Sequence, residues 1–248
     1  MEKLKNKVAV ITGGNSGIGY ASAKEFKENG ATVIITGRNF EKVEKASNEL
    51  GVKGIVSNVE NIHEINNLVS EISDEYGKID ILLVNAGIFS PEPVGSISEK
   101  NYDKQMNINL KGAIFTVDKF VPLLNDNASI INVSSELSNK GVANTAIYSA
   151  TKAALNSFTK TAATELASRK IRINSINPGP VNTPIYSKTG MSQEQLSEMA
   201  QHFANRVPLK RFAETIEIAK LATFLASDDA SFITGSEYNI GGGINVSI

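Results

Sequence analysis

A tyrosine and a lysine four residues apart, Tyr148 and Lys152, form the combination in this sequence that is best suited to chemistry. On a helix, that spacing places both side chains on one face. The ammonium group favours the phenolate and so lowers the pKa of the phenol, which suits a proton donor that works near neutral pH. The pair therefore predicts a proton-transfer site.

The same spacing occurs a second time, at Tyr20 and Lys24, so spacing alone does not select the site. Only Tyr148 has a serine thirteen residues upstream, Ser135, which follows an apolar run at 129–133. Sheets of α/β proteins present ligand-facing residues at the carboxyl ends of their strands. We therefore assign the site to Tyr148 and predict an exposed helical face for Tyr20 and Lys24.

A glycine-rich turn follows the first apolar run of the chain. Residues 8–12 lead directly into Gly13, and Gly17 and Gly19 follow before a segment of helical period begins. A strand that ends in glycines at the start of a helix lets backbone N–H groups and the helix dipole approach a pyrophosphate closely. The alternative is an ordinary glycine turn. Its position after the first strand favours a dinucleotide site.

The elements that position these residues alternate regularly along the chain. Apolar runs typical of buried parallel strands lie at 8–11, 31–35, 54–56, 79–84, 129–133 and 171–176, and helical segments lie at 17–29, 41–50, 62–76, 99–124 and 146–168. This order predicts an α/β fold, a doubly wound Rossmann-type parallel sheet flanked by helices, in one domain over residues 1–248. Prolines interrupt the pattern after residue 178, where we predict a substrate lid at about 185–209 with a short helix at 192–203.

Composition excludes several classes of function. The formal net charge is -1 and no run of like charge occurs, so we expect neither a nucleic-acid nor a membrane partner. The chain has no cysteine, which excludes thiolate catalysis and Cys-type zinc sites, and His63 and His202 stand alone, so we predict no metal site. No apolar run approaches the roughly 20 residues that span a bilayer. These features favour a cytoplasmic protein with a small-molecule substrate.

Together the motifs resemble the short-chain dehydrogenase/reductase family in its single-domain form, in the same order and spacing from Lys7 to about Gly243. By this resemblance the cofactor is held by Thr12, Gly13, Asn15, Ser16, Gly17, Ile18, Gly19, Gly37, Arg38, Asn58, Val59, Asn85, Ala86, Gly87, Tyr148, Lys152, Pro178, Gly179, Val181 and Thr183. The resemblance also implies a homotetramer in which the helices at 99–124 and 146–168 pack on partner copies.

The resemblance implies four catalytic residues, Asn109, Ser135, Tyr148 and Lys152. Tyr148 would exchange a proton with the carbonyl or alcohol oxygen, and Ser135 would donate a hydrogen bond to the same oxygen. Lys152 would favour the phenolate and bind the nicotinamide ribose, and Asn109 would hold a water molecule that links Lys152 to solvent. The implied reaction is hydride transfer between NAD(P) and a small carbonyl or alcohol.

Two positions depart from the family pattern. Val84 stands where many members have the first asparagine of an Asn-Asn-Ala-Gly motif, although Asn85 is retained. Asn58 stands where many members have an aspartate near the adenine ring, and an amide still offers a donor and an acceptor. We expect cofactor binding to survive both changes.

The end of the second strand predicts a preference for NADP(H) over NAD(H). NAD-preferring members have an acidic residue where this chain has Gly37, and Arg38 offers a guanidinium to a 2′-phosphate. Strongly selective members have a second basic residue at the position of Ser16, so we expect preference and not exclusivity.

Three other functions are alternatives for a chain with these motifs. A dinucleotide-sensing regulator would have lost one of the four catalytic residues, and an epimerase or dehydratase of this fold would carry a larger carboxyl-terminal domain. A 3-oxoacyl carrier-protein reductase is the closer alternative. Such enzymes place basic residues just before the fifth strand, where they meet an acidic carrier protein. This chain has Asp126 there, and only Arg169, much later in the sequence, could supply part of a basic patch. We assign substrate choice to residues 136–144 and to the lid.

Overall fold

The computed structural model describes residues 2–185, 194, 198, 203–244 and 246. Among these residues, seven strands form one sheet: β1 (Val8–Thr12), β2 (Thr32–Gly37), β3 (Lys53–Val56), β4 (Ile79–Val84), β5 (Leu124–Val133), β6 (Arg172–Pro178) and β7 (Glu237–Ile240). Their order is β3-β2-β1-β4-β5-β6-β7, and every neighbouring pair is parallel. The Rossmann-type sheet predicted from the sequence is confirmed, and the strand order reverses between β1 and β4.

Helices cover both faces of this sheet. In the described residues they are α1 (Gly17–Glu28), α2 (Phe40–Leu50), α3 (Ile62–Tyr76), α4 (Glu99–Gln105), α5 (Ala113–Phe120), α6 (Ala146–Leu166) and α7 (Thr215–Ala226). A π-helical segment, Met106–Gly112, joins α4 to α5, and short 3-10 turns lie at Val121–Leu123, Glu136–Asn139, Ala167–Arg169 and Asp228–Ala230.

Residues of β1, β2, β4, β5 and β6 alternate between two hydrophobic clusters, one on each face of the sheet. Ala9 and Ile11 of β1 pack with Phe26 of α1, whereas Val10 packs on the opposite face with Phe120 of α5. The first cluster also contains residues of α2 and α7, and the second contains residues of α3 and α6. Because both faces of the sheet are covered, the strands read as uninterrupted apolar runs in the sequence.

The prediction of one helix over 99–124 was wrong in two respects. The segment Met106–Gly112 is π-helical, and α5 ends at Phe120, two residues before Pro122, which lacks the N–H group that a helix needs. The strand β5 then begins at Leu124, five residues earlier than predicted. Its first part is polar and irregular, with Asn127 at φ 67° and a register shift relative to β4, so it carries no apolar strand pattern.

Most of the predicted helix at 192–203 and most of the predicted lid lie outside the described residues, as does His202. In the part of the chain that the structure describes, no helix has the length and apolarity needed to cross a membrane. The same residues contain no group of three histidine or carboxylate side chains arranged to hold a metal ion.

Candidate active site

Two adjoining cavities lie at the carboxyl ends of the strands. The first cavity, of about 350 Å³, lies over the glycine turn and the ends of β2 and β3, and the second, of about 280 Å³, lies between the end of β5, α6 and the segment after β6. They share the residues Ile18, Asn85, Gly87, Ile88, Thr183 and Ile185. Because they share these residues, the two cavities adjoin and together form a cleft at the point where the strand order reverses, which is where sheets of this type bind ligands.

Most residues predicted to bind the cofactor line this cleft. The first cavity is lined by Gly13, Asn15, Ser16, Gly17, Ile18, Gly37, Arg38, Asn58, Val59, Asn85, Ala86, Gly87 and Thr183. The second cavity is lined by Ser135, Tyr148, Lys152, Pro178, Gly179, Val181 and Thr183, among others. Three of the predicted site residues line neither cavity: Thr12, Gly19 and Asn109.

The glycine turn has the geometry of a pyrophosphate cradle. Gly13 and Gly17 adopt left-handed conformations with φ of 63° and 55°. A side chain at Gly19 would overlap the Gly13 carbonyl oxygen, so this position must remain glycine. Ser16 begins α1 without capping it through its side chain, which leaves the first amide groups of the helix without a side-chain acceptor. A helix start of this kind suits an anion.

Thr12 and Asn85 brace the turn from behind. The Thr12 hydroxyl oxygen accepts hydrogen bonds from the backbone N–H groups of Asn85 and Ala86, at 3.0 and 3.1 Å. The Asn85 amide donates to the carbonyl oxygens of Thr12 and Gly13, each at 3.0 Å. These bonds join the ends of β1 and β4. Val84, the departure from the family motif, is buried in the apolar core, and Asn85 retains these contacts.

At the far end of the first cavity, Gly37 is the last residue of β2 and Arg38 follows it. A side chain at Gly37 would come within 2.5 Å of the side-chain oxygen of Asn15, so packing as well as charge favours glycine here. The Arg38 guanidinium is half exposed and lies 3.8 Å from the Glu60 carboxylate. An exposed pair at this separation contributes little, so the guanidinium can turn to an incoming anion.

Sequence reasoning missed a second basic residue at this end. Lys42 lies in the first turn of α2 and lines the first cavity together with Arg38. Asn39 caps α2 by accepting a hydrogen bond from the Lys42 backbone N–H at 2.9 Å, which fixes where the lysine leaves the helix. The signal was present in the sequence as a lysine in the first turn after the second strand, a position where acidic residues are usual.

Asn58 and Val59 form the wall of the first cavity beside β3. The Asn58 side-chain oxygen accepts a hydrogen bond from the Glu60 N–H at 3.2 Å, and the Asn58 N–H donates to the Glu64 carboxylate at 2.8 Å. The amide at this position is therefore held in a turn at the start of α3.

Tyr148 and Lys152 lie one turn apart on α6 and line the second cavity together. The Lys152 nitrogen lies 5.8 Å from the centre of the Tyr148 ring and donates to the Val133 carbonyl oxygen at 2.8 Å. Burial lowers the pKa of the Lys152 ammonium from 10.5 to about 8. Phe89 meets the Tyr148 ring edge to face at 5.1 Å and fixes its plane.

Ser135 reaches the same cavity from the end of β5. Its hydroxyl accepts a hydrogen bond from the Leu137 N–H at 3.2 Å, which sets its direction. The neighbouring Ser134 hydroxyl donates to the Lys152 carbonyl oxygen at 3.1 Å and ties the end of β5 to α6. Ser135, Tyr148 and Lys152 thus come together from two elements.

Asn109 lies within the π-helical segment and is fully buried. Its side chain accepts from the Ile88 N–H at 2.8 Å and donates to the Ile88 carbonyl oxygen at 2.9 Å. A side chain at Gly87 would meet the Asn109 oxygen at 3.4 Å and the Lys152 nitrogen at 3.7 Å, so both atoms lie beside Gly87. Asn109 therefore fixes the segment after β4 next to Lys152.

The second tyrosine–lysine pair is separate from the cleft. The Tyr20 hydroxyl donates to the Glu49 carboxylate at 3.2 Å, and Lys24 is exposed and pairs with Glu28 on the same helix. Neither residue lines either cavity. Lys24 is exposed as predicted, whereas Tyr20 is half-buried because its ring packs against the first hydrophobic cluster.

Comparison with known proteins gives the class of this cleft. Residues 13–245 match the family model described as enoyl-(acyl carrier protein) reductase. The 3-oxoacyl-[acyl-carrier-protein] reductase of Thermotoga maritima is 38% identical over 98% of this chain and 99% of its own. A solved short-chain glucose/ribitol dehydrogenase of Brucella melitensis superposes with a TM-score of 0.91 at 31% identity, over 98% of each chain. A 3-ketoacyl-(acyl-carrier-protein) reductase of the same organism, solved with NADH, gives a TM-score of 0.90 at 31% identity, over 98% of this chain and 99% of its own.

Fold, cleft and relatives define a dinucleotide-dependent oxidoreductase of the α/β class. More specifically, the chain belongs to the short-chain dehydrogenase/reductase family.

Proposed function

We propose that the protein is an NADP(H)-dependent oxidoreductase that interconverts a small carbonyl compound and its alcohol. The observation that carries the proposal is that Ser135, Tyr148 and Lys152 line one cavity, which joins the cavity over the glycine turn. A dinucleotide along that cleft therefore has its phosphates at the turn and its reactive end beside the tyrosine. When bound, the nicotinamide cofactor supplies or accepts the hydride.

In the reducing direction, Tyr148 donates its phenolic proton to the carbonyl oxygen of the substrate as that oxygen becomes a hydroxyl. Ser135 donates a hydrogen bond to the same oxygen and orients it. Lys152, whose ammonium is buried below the ring, favours the resulting phenolate. Asn109 is a positioning residue, because its side chain is hydrogen-bonded to the Ile88 backbone in the loop that faces these three residues.

The preference for NADP(H) rests on two basic side chains and one missing side chain. Arg38 and Lys42 both line the first cavity, and Gly37 offers no carboxylate to repel a 2′-phosphate. Two cations suit a dianionic phosphate better than a single arginine does. Strongly selective members of the family have a basic residue at the position of Ser16. Because Ser16 is uncharged, we expect NAD(H) to bind as well, but more weakly than NADP(H).

Replacing Tyr148 by phenylalanine tests the proposal directly. The variant keeps the ring and its contact with Phe89 and removes only the hydroxyl, so NADPH binding, followed by fluorescence, should persist. Turnover of a ketone panel should fall about a hundred- to ten-thousandfold, the range expected for a general acid. Tyr20→Phe is the matched control and should leave turnover unchanged. Full activity of Tyr148→Phe would contradict the assignment.

A second candidate function is reduction of 3-oxoacyl groups on a carrier protein, as in the name of the Thermotoga relative. The local charges oppose it. Arg169 forms an ion pair with Asp126 at 2.9 Å and donates to the carbonyl oxygens of Val121 and Leu124, so it is committed to the start of β5. We therefore favour free substrates, and comparing a carrier-bound 3-oxoacyl group with its free ester separates the two.

We also propose a homotetramer in which the surfaces of residues 99–124 and 146–168 meet their own copies, since a two-fold axis makes each contact self-complementary.

A further inference from the structure

The loop between β4 and α4, residues 85–98, has no regular secondary structure, yet it forms part of the wall of both cavities. No helix or strand pairs its backbone groups, so contacts with neighbouring elements decide where it lies. One fixed point is the Ile88 backbone, which the Asn109 side chain holds through two hydrogen bonds. A second fixed point lies two residues further along the chain.

This second point is the Ser90 carbonyl oxygen, which two side-chain amides hold. Gln105, the last residue of α4, donates to it from Nε2 at 2.9 Å. Asn101, one turn earlier on the same helix, donates to it at 3.1 Å. Asn109 follows Gln105 by four residues, and the backbone groups that these two amides hold flank Phe89.

The Gln105 side chain is buried, and its oxygen has no partner in the part of the chain that the structure describes. The side chain is 1% exposed, and Oε1 accepts no hydrogen bond from the described residues. A buried amide oxygen without a donor costs stability, and an apolar side chain of the same length would avoid that cost. Packing alone therefore does not account for a glutamine here, whereas the bond to Ser90 does.

Phe89 connects this clamp to the proton-transfer site. It lines the second cavity beside Tyr148, and the two rings meet at 88° with their centroids 5.1 Å apart. Pairs of this kind favour separations of about 4.5 to 7 Å, so a displacement of the loop by roughly 2 Å would break the contact. Gln105 itself lines neither cavity, so any effect it has on the reaction must pass through the loop.

We propose that Gln105 is a positioning residue that holds Phe89 against Tyr148 and thereby sets the orientation of the phenol. Asn109 fixes the side of the loop that adjoins the first cavity, and Gln105 fixes the side that carries Phe89. The inference rests on the proposed function, in which the Tyr148 hydroxyl transfers the proton.

The experiment measures the rate of hydride transfer in a single turnover with NADPH and one ketone, so that product release does not enter. The variants are Gln105→Met, Phe89→Leu and the two combined. Methionine keeps the length of the side chain and removes the donor. Thr223→Val is the matched control, because it removes a buried hydrogen bond, from the Thr223 hydroxyl to the Ala219 carbonyl oxygen at 3.0 Å, in a helix that lines neither cavity.

An aromatic pair favours one arrangement of its rings by about two- to tenfold, so Phe89→Leu should lower the single-turnover rate by up to that factor. Gln105→Met should lower the rate by the same factor or less. The Kd for NADPH should not change, because Asn109 still holds Ile88. The double variant should be no slower than Phe89→Leu, since Gln105 acts through Phe89, whereas a general loss of stability would slow both backgrounds alike.

A readout without turnover is the carbon-13 resonance of the Tyr148 Cζ atom in protein labelled at tyrosine, assigned by its loss in Tyr148→Phe. Gln105→Met should move this resonance toward its position in Phe89→Leu, because the Phe89 ring lies beside it. Asn101→Ala should move it in the same direction by less, and this milder variant keeps the test available if Gln105→Met does not fold. Thr223→Val should leave the resonance and the rate unchanged.

The two readouts separate the inference from the proposed function. If the Tyr148 resonance moves as expected but no ketone is reduced, the proposed function fails and the positioning by Gln105 stands. If ketones are reduced but Gln105→Met leaves the rate or the Tyr148 resonance unchanged, or slows the native protein and Phe89→Leu by the same factor, Gln105 does not act through Phe89 and the inference is overturned.

Discussion

We expect selection between NADPH and NADH to depend on two basic residues that line the first cavity, Arg38 and Lys42. Replacing each by alanine, singly and together, removes the groups that would meet a 2′-phosphate. The Glu60 carboxylate, 3.8 Å from Arg38, competes for the same guanidinium, so Glu60→Gln should act in the opposite direction. Three of these four variants should therefore weaken the preference for NADPH, and Glu60→Gln should strengthen it.

The expected change in kcat/KM for NADPH depends on how exposed each basic side chain is. A charge-assisted hydrogen bond contributes roughly 1.5 to 3 kcal/mol, and the lower value applies to Arg38 because half of its side chain is exposed. Arg38→Ala should therefore lower kcat/KM for NADPH about tenfold and leave the value for NADH nearly unchanged. Lys42→Ala should cost about threefold to tenfold, since lysine offers a point charge instead of a planar fork. The double variant should lose less than the sum, because both cations would share one phosphate.

The assay is kcat/KM for NADPH and for NADH with one ketone at a fixed ionic strength, since exposed charges are screened by salt. Lys45→Ala is the matched control, because Lys45 lies on the same helix and pairs with Glu49. Placing an aspartate at Gly37 is a poorer test, since its side chain would also collide with Asn15. A native preference for NADH, or an unchanged cofactor ratio in the double variant, would refute the reasoning.

Three further outcomes are expected. Burial raises the pKa of the Glu136 carboxyl from 4.5 to about 7, so the native protein loses about 1 to 3 kcal/mol of stability as the pH rises from 4.5 to 7. Glu136→Gln has no group to ionise there, so its urea midpoint should equal that of the native protein at pH 4 and exceed it at pH 8. Thr12→Val should lower stability by about 1 to 3 kcal/mol and weaken NADPH binding, since two backbone N–H groups lose their acceptor, and equal melting temperatures and Kd values would contradict this. Light scattering at micromolar concentration should give four times the mass of one chain, and a monomer mass would exclude the proposed homotetramer.

Much of the site was predictable because its signals are local. The uninterrupted apolar runs of β1, β2 and β4 reflect a sheet covered on both faces, and that pattern predicts parallel strands directly. Gly13 and Gly17 suit a turn with left-handed backbone conformations, and Gly19 lies where a side chain would overlap the Gly13 carbonyl oxygen. The spacing of Tyr148 and Lys152 follows from helix geometry.

The tertiary structure decided what depends on contacts between distant segments. The carboxyl group of Glu136 is buried against Gly179 and Gly241, which directly follow β6 and β7. Asn109 finds its partners in Ile88 because a π-helical segment lies against the loop after β4. Lys42 reaches the first cavity because α2 starts beside the end of β2. Burial, orphaned oxygens and shared cavities are properties of packing, so no local pattern in the sequence encodes them.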